Sequence, residues 1–313
     1  MDGVPAGGGR LMGFRSRLRC AAIQSAVALR LDELVLAGSC GRFLRAVNFH
    51  GTPLALRDIF LRQLEWLRSR FTVLNPMAMD VFWENIVPSR KPAVLLTFDD
   101  GLASNFLIAA PVLESLGLRG LFFVNPGFAE LNGPAAKDFF LDRLADDPDK
   151  LLSPEDWTPM TSVQIAELAR RGHSIGNHTY SHADLSRAAA GNLPHEIVHS
   201  RNVLSKWTGR AVESFAWTYK WNAISREAWD MARSHHRFCF APCAGLTSRV
   251  NGIPDLIWRT NVECGYSESE YRFMYSGLAA IPAWRKRRRL ERELRPPAAS
   301  LDPAREERGW LLP

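Results

Sequence analysis

The sequence predicts an α/β fold, with parallel strands and helices alternating around one sheet. Three observations predict it. Short apolar strands recur between helices of roughly 10 to 15 residues, the pattern of βα units. Strands and helices interleave along the chain with no internal repeat. Two stretches rich in acid/base side chains, Thr97-Phe98-Asp99-Asp100-Gly101 and His178-Thr179-Tyr180-Ser181-His182, each follow a strand and precede a helix. That is where α/β folds keep their sites.

The elements follow in order. Residues 21–37 read as one helix with mixed faces, stopped at Gly38. Arg45–Phe49 is a short apolar strand with His50-Gly51 at its end. Asp58–Arg70 is an amphipathic helix, with Phe60, Leu64 and Leu67 on one face. Phe71–Leu74 is a short strand or extended connection. Ala93–Leu96 is a buried strand running into Asp99 and Asp100. A helix over about 104–116 has Gly117 as its stop signal, and Gly120–Val124 is the next strand. Residues 126–160, with five prolines, read as a long irregular loop or insertion. Thr161 or Ser162 caps a helix to Arg171, Gly172 ends it, and strand 173–176 leads to the histidine motif. A helix from Pro194 to about Trp207 ends at Gly209. Ser214–Trp217, Arg237–Phe240 and Leu256–Val262 complete the strands.

One principal domain over about 44–284 is therefore expected, behind a partly helical leader, 1–43, and before a basic tail, 285–313, read as disordered. With 313 residues and 46% hydrophobic content, the chain can bury a core. The net charge of +6 is concentrated between Arg285 and Arg295, so the main domain carries no case for specific nucleic-acid binding. Five scattered cysteines imply reduced thiols and no disulfide framework. No cleavable signal stands out, and no apolar run reaches the roughly 18 residues of a membrane span. The uncharged run Phe273–Trp284 stands directly before the basic segment, so peripheral contact with an anionic membrane through the tail is one expectation. A cytoplasmic location, with contact at the inner face of the membrane, is the accompanying one.

The chemistry of the two strand ends is that of a metal hydrolase. One Asp and two His at i, i+4 can converge on a divalent ion and leave a position for water. A neighbouring carboxylate outside the ligand set can take the water's proton. Asp99 and Asp100 are adjacent, so their side chains diverge and one can serve each role. The blander readings are a capped turn after a strand and two surface histidines on a helix.

These two motifs resemble the first two motifs of the polysaccharide deacetylase family (NodB-homology domain, carbohydrate esterase family 4), and the flanking strands agree over roughly 46–262. The resemblance implies a distorted (β/α) barrel of about seven strands, NodB-type. It implies a divalent ion, zinc first, with cobalt, manganese or nickel as alternatives, held by Asp100, His178 and His182. Asp99 is then the general base, and the reaction is hydrolysis of an N-acetyl group on an amino sugar. An N-acetylated glycan or a cytoplasmic glycan precursor is the implied partner.

Two departures stand out. The family's third motif carries an Arg and a Pro, where this chain has Ala216-Trp217-Thr218-Tyr219. Tyr219 can still offer a backbone N–H to an oxyanion, and Arg259 at a later strand end is a candidate substitute for the lost Arg. The family's last motif carries a His that protonates the leaving amine. No His follows His236, and His235 and His236 stand at a helix-to-strand junction. His50 matches a His common at that place in the family, with a supporting role behind the ligands. A catalytically impaired carbohydrate-binding relative is the alternative that these departures favour.

His195-Glu196-Ile197-Val198-His199 also fits H-E-x-x-H, the zinc-protease pattern. Asn202 and Ser205 occupy the positions where the longer metalloprotease motif carries Gly and His, and the other common type needs a Glu on a later helix, for which Glu227 is the one to invoke. The apolar face of this helix is Ile197, Leu204 and Trp207, which leaves both histidines on the solvent side.

Overall fold

A computed structural model of the chain describes residues 14–39, 41–84, 91–145, 153–249 and 254–294. Among the described residues nine strands form one sheet: β1 (Phe43–Phe49), β2 (Thr72–Val73), β3 (Ala93–Phe98), β4 (Leu121–Val124), β5 (Ser174–Asn177), β6 (Ser214–Ala216), β7 (Phe238–Ala241), β8 (Thr247–Ser248) and β9 (Ile257–Asn261). Seven of them close on themselves in parallel, in the order β1-β3-β4-β5-β6-β7-β9, because β1 pairs with both β3 and β9. The barrel is distorted where its ladders are short. β4 meets β3 only at Thr97 and Phe98, and β6 meets β5 only at Phe215. The sequence-predicted barrel of about seven strands is the one observed.

Strand periodicity assigns the two faces. Leu44, Ala46, Leu95, Leu121, Phe123, Phe240 and Ile257 form the barrel interior. Their neighbours Val47, Phe49, Val94, Leu96, Phe98 and Phe122 point outward, against helices such as Arg57–Arg70 and Ser162–Arg170. Alternation of two continues upward, so Asn48, Asp99 and Arg259 share the inward parity at the carboxyl ends of their strands. Gly176 is fixed by this packing: a Cβ there would lie 2.3 Å from the Phe123 ring.

Four expectations are corrected. The single helix over 21–37 is two helices, Phe14–Ala28 and Leu31–Gly38, broken at Arg30 with φ +58°. The irregular segment 126–160 contains helices Pro126–Ala129, Gly133–Arg143 and Pro154–Trp157, each with proline in its first turn, where a missing N–H costs nothing. The helices of 104–116 and 194–207 both begin with a π-helical turn, Asn105–Ala109 and His195–His199. The start of the supposed disordered tail is a helix, Trp284–Leu294, because Leu290 and Leu294 recur at i, i+4 and are buried against the barrel's outer helices. Residues 295–313 lie outside the described residues. Of the four cysteines described, all are free and Cys239, Cys243 and Cys264 are buried; Cys40 lies outside the described residues. Among the described residues, no helix is long and apolar enough to cross a membrane.

Candidate active site at the carboxyl end of the barrel

Three connections build the site. The chain leaves β3 through Asp99 and turns at Asp100 (φ +72°) and Gly101 (φ +74°). It leaves β5 through His178, with Thr179 at φ +63° and His182 at φ +52°. It leaves β6 through Ala216, and Tyr219 has φ +58°. Left-handed backbone at a residue with a Cβ costs on the order of 1 kcal/mol or more and persists where surrounding structure enforces it. Among the described residues only Arg30 joins these four non-glycine positions.

Asp100, His178 and His182 meet: their donor atoms all lie within 4.8 Å of one another. Asp100 Oδ1 is 3.6 Å from His178 Nε2 and 3.7 Å from His182 Nε2. A tetrahedral ion with bonds of ~2.0–2.2 Å needs donors roughly 3.3–3.6 Å apart, so the residues fit a divalent metal with little adjustment. His178 Nδ1–H donates to the Ala216 carbonyl at 2.9 Å, which leaves Nε2 as the free lone pair facing the cluster. Burial outweighs the nearby Asp99 charge and pushes His178 down to about 4, so the ring is neutral at pH 7. Burial also holds His182 well below its ordinary value. Neutral imidazole is the ligating form.

Asp99 stands beside this cluster, with Oδ2 3.9 Å from His178 Nε2. Its Oδ1 accepts from Arg259 Nη1 at 2.6 Å and its Oδ2 from Asn48 Nδ2 at 3.2 Å. Both members of the ion pair are sealed from water, Asp99 at 3% and Arg259 at 1% exposure. Burial raises the carboxyl, but the Arg259 charge overrides it and keeps Asp99 below the usual carboxylate range. The guanidinium also lies over the Phe123 ring, 5.1 Å from its centroid. The geometry therefore brings Arg259 to the carboxylate that the absent third-motif arginine would serve. Asn48 was not singled out from the sequence; its inward parity at the end of β1 was the available signal.

Tyr219 borders the site, its ring centroid 4.7 Å from that of His182. Among the described residues its backbone N–H has no hydrogen-bond partner. His50, at the end of β1, places Nδ1 3.5 Å from Glu263 Oε1. Burial lowers this imidazole, but Glu263 together with the charges of Asp100 and Asp99 raises it to about 9. His236 is elsewhere: it is buried, bonded to Asn177 and the Ala232 carbonyl, and burial pushes it down to about 3. His235 is exposed and bonds to Ser234 and the Met231 carbonyl.

The H-E-x-x-H stretch forms no metal cluster among the described residues. His195 and His199 stack on each other, with centroids 4.8 Å apart, and Tyr180 packs against both. Glu196 faces the other way. It is buried and accepts from Ser181 N–H at 2.9 Å and Ser181 Oγ–H at 2.8 Å, while its carbonyl accepts from Tyr180 N–H. Asn125 Nδ2 donates to the His178 and Thr179 carbonyls on the opposite side of the loop. Glu196 thus straps the loop between the two histidines to the π-turn. Glu196→Ala is expected to weaken metal binding roughly 10-fold, the low end of the cost of removing a ligand's direct partner, because Glu196 holds the loop between the two histidines and not a histidine itself. Isothermal titration with zinc reads it; unchanged affinity would show the strap to be idle.

Comparison with known proteins agrees with this geometry. Residues 87–236 match the family described as polysaccharide deacetylase. The chain is 24% identical over 147 residues to YxkH of Bacillus subtilis (strain 168), a protein named as a polysaccharide deacetylase; the match spans 46% of this chain and 43% of that protein. Among solved structures, the Streptococcus pyogenes deacetylase PplD in complex with acetate superposes with a TM-score of 0.56 at 20% identity, over 73% of this chain and 96% of that one. IcaB from Ammonifex degensii superposes with a TM-score of 0.57 at 19% identity, over 76% and 97%. At these identities the structural likeness shows a shared fold.

Proposed function

Residues 87–236 belong to the polysaccharide deacetylase family, and from that premise we propose that this chain hydrolyses an N-acetyl amide on an amino sugar of a glycan or glycan precursor. The observation that carries the reading is the buried set of Asp100, His178 and His182 beside an Asp99 already paired with Arg259. Asp100, His178 and His182 would hold a divalent ion, zinc by its nitrogen and oxygen donors. Such an ion acidifies water and polarises the amide carbonyl.

The chain's own residues do the rest. Asp99 takes a proton from the attacking water. Arg259 and Asn48 fix which oxygen of Asp99 is turned inward and keep it ionised. The Tyr219 N–H donates to the oxyanion as the carbonyl carbon becomes tetrahedral. His50, paired with Glu263, gives its proton to the departing amine. Acetate and a free amino group are the products. With Arg259 and His50 in these roles, the chain would make good the departures that favour a carbohydrate-binding relative.

The test is release of acetate from N-acetylated oligosaccharides, with and without prior chelation. Chelation is expected to abolish release and zinc to restore it; release unaffected by thorough chelation would sink the metal role. His50→Gln adds a pH test. Glu263 and the aspartates raise His50 to about 9 in the metal-free chain, and a dication on Asp100 would oppose this, so the imidazolium is lost as pH rises toward that value. The variant is expected to lose kcat roughly 10²-fold and, with it, this alkaline limb. An unchanged alkaline limb would remove His50 from the proton transfer.

A further inference from the structure

The helix Trp284–Leu294 joins two faces of opposite character. Ala283, Arg287, Leu290 and Leu294 face the protein. Leu290 and Leu294 are buried in a cluster with Trp217, Trp229 and Trp258, and Arg287 Nη1 donates to the Ala244 and Ala280 carbonyls at 2.6 and 2.7 Å. The helix is thereby fixed to the barrel. The outer face carries Arg285, Lys286, Arg288, Arg289 and Arg292, all exposed. Arg289 is paired with Glu293 at 2.7 Å, but among the described residues Arg285, Lys286 and Arg288 form no ion pair. At the amino end of this face two large apolar side chains stand in solvent, Ile281 at 61% and Trp284 at 46% exposure. The guanidinium carbons of Arg285 and Arg288 lie 5.5 and 5.7 Å from the Trp284 ring centroid.

Unpaired cations grouped around an exposed aromatic and an aliphatic side chain match a surface that is anionic outside and apolar just beneath. We propose that this helix docks the protein on an anionic phospholipid bilayer, with the cations among the headgroups and Trp284 and Ile281 at the acyl boundary. The same helix adjoins the mouth of the barrel. Arg289 lies over the ring of Trp221, 5.5 Å from its centroid, in the connection that carries Tyr219. Docking would hold that connection near the lipid surface, where a membrane-bound glycan would present its sugars.

Sedimentation of the full chain with vesicles tests this. Vesicles of phosphatidylcholine with about one-third phosphatidylglycerol are expected to carry the protein down, and pure phosphatidylcholine vesicles to leave it in the supernatant. The triple variant Arg285→Glu/Lys286→Glu/Arg288→Glu is expected to partition at least ~100-fold less, from roughly fivefold for each of the three cations removed, with the added carboxylates lowering it further. Trp284→Ala alone is expected to lower partition about tenfold, with zinc content unchanged. Should the triple variant fail to fold, Trp284→Ala and a salt titration of the wild type carry the test, with binding falling steeply toward ~0.5 M salt. The proposal is overturned if the wild type ignores anionic vesicles at low salt. It is equally overturned if Trp284→Ala leaves partition unchanged, or if the protein binds duplex DNA in preference to vesicles.

Discussion

Replacing Arg259 with methionine is expected to damage both stability and turnover. The side chain fits the barrel interior, but Asp99 is left as a buried carboxylate without its counter-charge. Removing one partner of such a pair costs about 3–5 kcal/mol, measurable as a shift in denaturant midpoint. Turnover is expected to fall roughly 10²-fold, because the carboxylate no longer has a fixed orientation toward the water. The pH dependence carries a sign that a purely structural role would not produce. In the wild type Arg259 holds Asp99 below the usual carboxylate range, so the acid limb of kcat/KM lies low. Without it, burial dominates and raises Asp99, so the acid limb moves to higher pH. The stability of the pair follows the same linkage: it is present above the ordinary carboxylate range and lost as pH falls through the lowered value of Asp99. Arg259→Lys, which keeps the charge but loses the planar fork, is expected to recover part of the acid limb and less of kcat. An acid limb that stays in place in Arg259→Met would remove Arg259 from any role at Asp99.

The second large effect belongs to the proposed ligands. Asp100→Ala and His182→Ala are each expected to reduce acetate release to background. Each removes a donor from the three-atom set, and zinc binding should weaken well beyond the roughly 10- to 100-fold loss caused by an outer partner. The fold should survive, since neither side chain belongs to the apolar clusters that close the barrel. Asp100→Ala has a further consequence. The residue has φ +72°, where alanine is less at ease than aspartate, so a modest loss of stability accompanies the loss of metal. Wild-type activity in a metal-free Asp100→Ala variant would contradict the assignment.

Much of this architecture was legible in the chain. The strand before Asp99 and the glycine-stopped helices were readable because period-two and helical apolar patterns coincide with strong stop signals. The convergence of Asp100, His178 and His182 was readable because both motifs fall at strand ends, which a parallel barrel gathers on one rim. Arg259 was readable only as a guess. Its inward parity with Ile257 is plain, but closure of β9 onto β1 is a long-range event that no local pattern encodes. Asn48 was missed for the same reason. The segment 126–160 was misread because five prolines suggest irregular chain, whereas three of them open helices. Glu196 was misweighed by its motif: H-E-x-x-H describes spacing, and the π-turn over 195–199 sends the carboxylate to Ser181 and the histidines to Tyr180.

The two adjacent aspartates are proposed to divide the work, with Asp100 a ligand and Asp99 a base held outside the ligand set. The zinc content of wild type, Asp99→Asn and His178→Ala, measured after equilibrium dialysis, tests this without any choice of substrate. Wild type and Asp99→Asn are expected to hold one ion per chain, while His178→Ala loses it. Full occupancy in His178→Ala, or loss of the ion from a folded Asp99→Asn, would contradict the account.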